Sequence, residues 1–319
     1  MNEIITKIKN AASIAILPHK NEDADALGSC FALAKALERL GKDVKIYVSG
    51  EIEKRLNFIG SDYEIYDGVG TYNHDLCISV DSGDINRLGD RQKIFNNALT
   101  TANIDHHYSN TNYADANYVD GDASSAGEII YSFIKAMDIE LDKEIARYLY
   151  IAICSDTGCF RFSNVSPKTM QTAAELLKFG IDNAEIARLL FESESLKAVR
   201  IKAEAAGKME SFYGGALRMV FMTADMYERY DISETDAPNL VDVARAVENT
   251  EIAICFKEQK DGIRLNLRSN GECDVSQIAK KFGGGGHIKA AGCTVTDMGL
   301  EELKEVIVKE CGYLNKYQI

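Results

Sequence analysis

The chain has 319 residues, 46% of them apolar and 27% charged, with only three prolines. That supports about two domains with packed cores and excludes a disordered or fibrous protein. A net charge of −13 argues against a long nucleic-acid footprint, because such binding draws its affinity from lysines and arginines that displace counterions.

The opening residues, MNEIITKIKN, mix charged and apolar side chains and lack the apolar stretch of a signal peptide. No apolar run approaches the roughly 20 residues that span a bilayer. The expectation is a cytoplasmic protein without a membrane partner. The eight cysteines show no CxxC spacing, and several lie in apolar runs, so they read as reduced core thiols.

SIAILPH (13–19) is a short buried strand, followed by a helix over 24–41 with Gly41 as its stop. Segments 44–50, 75–81 and 103–107 read as further strands, and about 125–138 and 142–155 as helices. Strands alternating with helices predict an α/β fold with a doubly wound, mostly parallel sheet in residues 1–182. Residues 183–210, rich in Ala, Glu, Lys and Leu, read as one long linker helix. Beyond it, strands at 216–223, 251–258 and 262–269 predict a smaller α/β domain over 211–319.

Four elements of the first half end on acidic or histidine residues. They are His19 with Asp23 and Asp25, Asp81, Asp105 with His106 and His107, and Asp156. In an open α/β sheet such ends converge, and ligands bind there. Five carboxylates crowded together raise one another's pKa unless cations are present, and two divalent ions would make the cluster tenable. Oxygen and imidazole donors without cysteine suit Mn²⁺ best, ahead of Mg²⁺, Fe²⁺ or Co²⁺. Taken singly, Asp23 and Asp84 also read as helix caps, and His74 as a turn residue.

In the second half, Gly283–Gly286 and His287 read as an anion-binding nest of backbone N–H groups rather than as a helix or strand interior. From Lys257 to Lys289 there are seven basic against four acidic residues. Along IRLNLRS, Arg264, Asn266 and Arg268 alternate with Ile263, Leu265 and Leu267, so the two sets face opposite ways. Phe160 and Phe162, on either side of Arg161, read either as base-stacking or as core residues.

HKNEDADALGS, VDSGD, IDHH and SDTGCFRFS, in that order, resemble the metal-binding motifs of the DHH phosphoesterase superfamily. RLNLRS and DVSQIAKKFGGGGHIKAAGC resemble the substrate-binding motif of its DHHA1 domain. The resemblance spans nearly the whole chain and is nearest to the bacterial group of oligoribonucleases that are also PAP phosphatases. It implies hydrolysis of very short oligoribonucleotides and of adenosine 3′,5′-bisphosphate by water activated between two metal ions. It implies His19, Asp23 and Asp81 on one ion, and Asp25, Asp81, His106 and Asp156 on the other. Asp105 would orient His106, and His107 would face the phosphate. Arg268, Ser269, Gly284, Gly285, Gly286 and His287, with Arg264 and Arg161, would grip the substrate. One departure stands out: Glu22 and Ala24 occupy places that are proline and glycine in many members. A phosphodiesterase dedicated to linear dinucleotides is the alternative, with a non-catalytic nucleotide sensor behind it. The sequence leaves monomer or homodimer open.

Overall fold

A computed structural model describes residues 1–234 and 236–317, and its chain divides into two units, Met1–Ser193 and Glu194 onward. The first unit runs α1 (Asn2–Asn10), β1 (Ser13–Leu17), α2 (Ala24–Arg39), β2 (Asp43–Val48), β3 (Glu64–Ile65) and β4 (Leu76–Val80). It continues with α3 (Gln92–Asn97), β5 (Thr100–Asp105), β6 (Ala116–Val119), α4 (Ala126–Ala136), α5 (Lys143–Asp156), α6 (Pro167–Leu177) and α7 (Asn183–Phe191).

Its six strands form one sheet in the order β3-β2-β1-β4-β5-β6, and every pairing is parallel. Alternation along each strand serves both faces. Ile14, Ile16, Ile78 and Val80 pack under the core shared with α1, α2, α4 and α5. Ala15, Leu17 and Cys77 pack on the opposite face with Ile94 and Phe95 of α3. Burial on both faces explains why these strands read as unbroken apolar runs. The chain leaves β1 for β2 on one side and returns to β4 on the other, so the carboxyl ends of β1 and β4 flank a topological switch point, where open α/β sheets bind ligands.

Helix α2 is buried nearly all round and packs against α4 and α5. A Cβ on Gly28 would lie 2.6 Å from the Tyr148 carbonyl oxygen, so only glycine permits the α2–α5 approach. The start of α2 also meets the start of α4, where Asp25 accepts the Ala126 and Gly127 N–H groups.

The second unit contains α8 (Leu196–Gly207), β7 (Glu210–Phe212), β8 (Leu217–Met222), α9 (Ala224–Tyr230), α10 (Val241–Arg245), β9 (Ile252–Gln259) and β10 (Gly262–Ser269). It closes with α11 (Val275–Lys281), β11 (Gly285–His287), β12 (Ala290–Val295) and α12 (Leu300–Glu310). The sheet order is β11-β12-β10-β9-β8-β7, mixed because β8 and β9 are parallel and the other pairs antiparallel. Ile263, Leu265 and Leu267 enter the core with α11 and α12. Ala253, Cys255, Val220 and Met222 pack with α8, α9 and α10 on the other face.

Two expectations need correction. The single linker helix over 183–210 is two helices, α7 and α8, separated by residues 192–195. The Ser195 hydroxyl accepts the Ala198 N–H and starts α8 afresh, an N-cap competing with continuation of the helix. The glycine run is partly a strand: β11 pairs with β12 through Gly285, Gly286 and His287. A Cβ on Gly284 would sit 2.2 Å from the Gly292 carbonyl oxygen and one on Gly286 2.5 Å from that of Ala290. The glycines thus allow a close backbone approach at the sheet edge, which offsets their entropic cost. Among the described residues, no helix is long and apolar enough to cross a membrane.

Candidate metal centre

Asp81 directly follows β4, only 2% exposed, in the left-handed region at φ 57°, a conformation costly for a residue with a Cβ. Its Oδ2 lies 3.7 Å from His19 Nε2. Its Oδ1 lies 3.2 Å from His106 Nε2 and 3.6 Å from His107 Nδ1, yet no partner has hydrogen-bond geometry to this buried oxygen. An orphaned buried carboxylate oxygen amid imidazoles and other carboxylates fits a cation.

The rest of the centre comes from four more strand or helix ends. His19 follows β1 and lies 3.4 Å from Asp23 Oδ2. Asp23 also caps α2 by accepting the Ala26 N–H at 3.0 Å, so it is both cap and neighbour of His19. Asp25, in the first turn of α2, accepts the Ala126 and Gly127 N–H groups at 2.8 and 3.0 Å and the Ser29 hydroxyl at 3.0 Å. The first N–H groups of α4 thus fix the position of both carboxyl oxygens. His106 Nε2 stands 3.8 Å from Asp25 and 3.7 Å from Asp156, the last residue of α5. Donor atoms lie within 4.8 Å of one another in three groups: His19, Asp23 and Asp81; Asp25, His106 and Asp156; and Asp81, His106 and His107.

Without cations the cluster keeps protons. Burial, with the Asp81 and Asp156 carboxylates, holds Asp25 well above the usual carboxylate range. Burial likewise lifts Asp156, only partly opposed by His106, to about 7. Burial disfavours the charged form of His19, but Asp23 and Asp81 outweigh it and raise the ring to about 9. His106 is raised well above its ordinary value, against its burial, by Asp81, Asp156 and Asp25.

His19 and Asp156 bind protons more tightly folded than unfolded, so their contribution to stability is present at low pH and lost as pH rises through about 7 and about 9. Asp23 and Asp105 are shifted the other way, so their contribution is lost only under acid conditions. The melting temperature of the metal-free protein should therefore fall across pH 6–9. Over the same window, added Mn²⁺ should bind more tightly and release protons, because ligands must be deprotonated. Calorimetry in buffers of different ionisation enthalpy reads that release; pH-independent affinity with no proton release would sink this account.

Asp105 needs a correction. Its Oδ1 is 2.7 Å from His107 Nδ1, so the ring it orients is His107 rather than His106. The reason lies at the strand end: Asp105 is the last residue of β5 and fully buried, and its other oxygen accepts from Asn110 at 2.6 Å. Asn110 carries no motif signal. Arg87 also escaped the sequence reading, although its charge bears on both His19 and Asp23.

Arg161 donates from Nε to the Gly158 carbonyl at 2.6 Å, with its guanidinium 5.5 Å from the Phe191 ring centre. Phe160 packs against Tyr150 in the core, whereas Phe162 is exposed. Asp84 caps the turn after Asp81 by accepting the Asn86 N–H.

In the second unit, Arg268 pairs with Ala290 across β10 and β12, and Ala290 pairs with His287 across β12 and β11. Paired residues share a face. Arg268 and His287 therefore stand on one face, two strand spacings or roughly 10 Å apart, with only a methyl group between them. The next row on that face is Asn266, Gly292 and Gly285, again small beside the arginine strand. Arg264 occupies the far end of the same face, opposite Thr294. Ser269, the last residue of β10, is buried and donates to the Gly271 carbonyl at 3.4 Å.

Fold and site together bring carboxylates and imidazoles into one cluster in the first unit. The chain belongs to the DHH family: residues 13–153 match the DHH family, N-terminal domain, and residues 218–312 match the DHHA1 domain. It is 30% identical over 299 residues to the bifunctional oligoribonuclease and PAP phosphatase NrnA of Thermus thermophilus, spanning 93% of this chain and 88% of that one. It is 31% identical over 290 residues to a probable protein of that name from Streptococcus mutans, spanning 91% of both. Among solved structures it resembles an exopolyphosphatase-related protein of Bacteroides fragilis, with a TM-score of 0.91 at 23% identity over 99% of this chain and 97% of that one.

Proposed function

We propose that this protein is a cytoplasmic, divalent-metal-dependent phosphoesterase that hydrolyses very short oligoribonucleotides to mononucleotides and converts adenosine 3′,5′-bisphosphate to AMP. The observation that carries the reading is Asp81, whose orphaned Oδ1 and whose Oδ2 face different imidazoles. The names of relatives that match over nine-tenths of the chain support it. His19, Asp23 and Asp81 would hold one ion; Asp25, Asp81, His106 and Asp156 would hold the other. Bound there, two divalent ions, most aptly Mn²⁺, would offset the carboxylate charge, polarise a phosphoryl oxygen and acidify water.

The remaining work belongs to side chains. Asp105, held below the usual carboxylate range by its bond to His107 despite burial, stays ionised and keeps a proton on His107 Nδ1. That fixes the ring for contact with a substrate phosphate. Arg268, Ser269, His287 and the glycine backbone of β11 would take a second phosphate, with Arg264 adding positive charge.

The test uses metal-stripped protein on adenosine bisphosphate and on an RNA ladder from dinucleotide to about two dozen residues. Mn²⁺ should restore hydrolysis of the bisphosphate and of the shortest rungs, better than Mg²⁺ does. Full activity in excess chelator, or preference for the longest rungs, would refute the reading. Activity confined to dinucleotides would favour the dedicated linear-dinucleotide enzyme.

A further inference from the structure

Glu22, in the loop that carries His19 and Asp23, turns toward the end of β2 rather than toward the ligand cluster. Its side chain is only 7% exposed, and its Oε1 accepts the Ser49 N–H at 2.8 Å and the Ser49 hydroxyl at 2.9 Å. The same oxygen forms an ion pair with Arg91 Nη1 at 3.3 Å. Arg91 is fully buried. Its Nη1 also donates to the Tyr47 carbonyl at 2.8 Å, while its Nε and Nη2 are buried without a partner.

Such an arrangement is costly. The desolvation of a buried arginine with two unmet nitrogens is offset only in part by its ion pair. Here the guanidinium ties the loop after β1 to the end of β2, where Tyr47 and Ser49 lie. A second tether runs from the Lys20 N–H to the Arg87 carbonyl at 2.6 Å. His19 and Asp23 flank these anchors on either side, and between them Asn21 takes a left-handed φ of 59°. Glutamate here imposes no covalent restraint on the backbone of the kind a proline would.

We propose that Glu22 and Arg91 form a positioning pair that fixes the loop so that His19 and Asp23 stand ready to hold one divalent ion. The pair touches neither substrate nor reacting atoms and acts through those two ligands. The proposal rests on the two-ion reading above.

The experiment follows free Mn²⁺ by electron paramagnetic resonance during titration of metal-free protein, below the melting temperature of each variant. Wild type should bind two ions; fewer than two would count against the two-ion reading itself and so against any pair acting through it. Glu22→Gln and Arg91→Met should each weaken one ion by about 10- to 100-fold, the range for groups that orient metal ligands. The other ion should stay within about threefold. The double variant leaves neither a buried anion nor a buried cation unmatched, so it covers the case in which a single variant does not fold. It should fold, yet keep the weakened site. Folded variants that bind both ions as wild type does, or a double variant that regains both affinities, would overturn the proposal and leave the pair a purely structural one.

Discussion

Asp81→Ala is expected to lower kcat by at least ~10³-fold on adenosine bisphosphate and on a generic ester such as bis-p-nitrophenyl phosphate, a loss on the scale of removing a principal electrostatic stabiliser. The expectation comes from its place: it belongs to two of the three donor groups and its oxygens face His19 on one side and His106 on the other. Alanine also has to adopt the left-handed backbone of this residue, at roughly 1–2 kcal/mol. Asp81→Asn separates the two effects, since asparagine tolerates that backbone and removes only the charge. Both variants should fold, as the residue sits at a strand end, and both should lose Mn²⁺ binding in titration. A folded, metal-loaded Asp81→Asn within tenfold of wild type would refute the shared-ligand role.

The second large effect separates cutting from gripping. His287→Ala or Arg268→Ala should cut kcat/KM on adenosine bisphosphate and on phosphate-ended dinucleotides by roughly 30- to 1,000-fold, corresponding to about 2–4 kcal/mol for a charge-assisted contact to phosphate. Bis-p-nitrophenyl phosphate has no second phosphate, so its hydrolysis should change little. Adding a 5′-phosphate to a dinucleotide should help wild type and do little for these variants. The row Arg268–Ala290–His287 is why both substitutions belong together: the two polar side chains share one face with only a methyl between them. Equal loss on both classes of substrate by folded variants would show that the second unit does more than hold an anion.

Much of this was legible in the sequence, for reasons specific to each element. β1 and β4 are buried on both faces, so their apolar runs stood out, whereas β5, TTANID, was marked only by the Asp and His residues at its end. The ends of β1 and β4 were readable because Asp and His interrupt those runs. Sheet register along IRLNLRS was legible because arginine and leucine alternate, and the burial of Leu265 and Leu267 follows that pattern. What escaped depended on contacts between distant segments. β6 (Ala116–Val119) carries Asn and Tyr at half-buried positions and has no apolar run to mark it. The 192–195 break was hidden because Ser195 looks like any polar helix residue until its hydroxyl is seen to cap. The bond from Asp105 to His107 rather than to His106 is a matter of side-chain direction at a strand end, which residue order does not specify. The pairing of Glu22 with Arg91 joins residues far apart in the chain. In sequence, Glu22 showed only as a missing proline.

Helix α2 forms one side of the centre. Asp25 sits in its first turn with both oxygens engaged by α4 and by Ser29, inside the most thoroughly buried layer of the unit. His19 and Asp23 stand on the loop before it, anchored by a few side-chain and backbone bonds. Opening a core helix requires something close to global unfolding, whereas a loop opens at much lower free energy. Amide hydrogen exchange in the metal-free protein should therefore divide the centre in time: the amides of α2 beyond its first turn exchange last, and those of residues 19–23 exchange early. The centre then has a slow wall and a fast wall, and entry of an ion is set by the fast one.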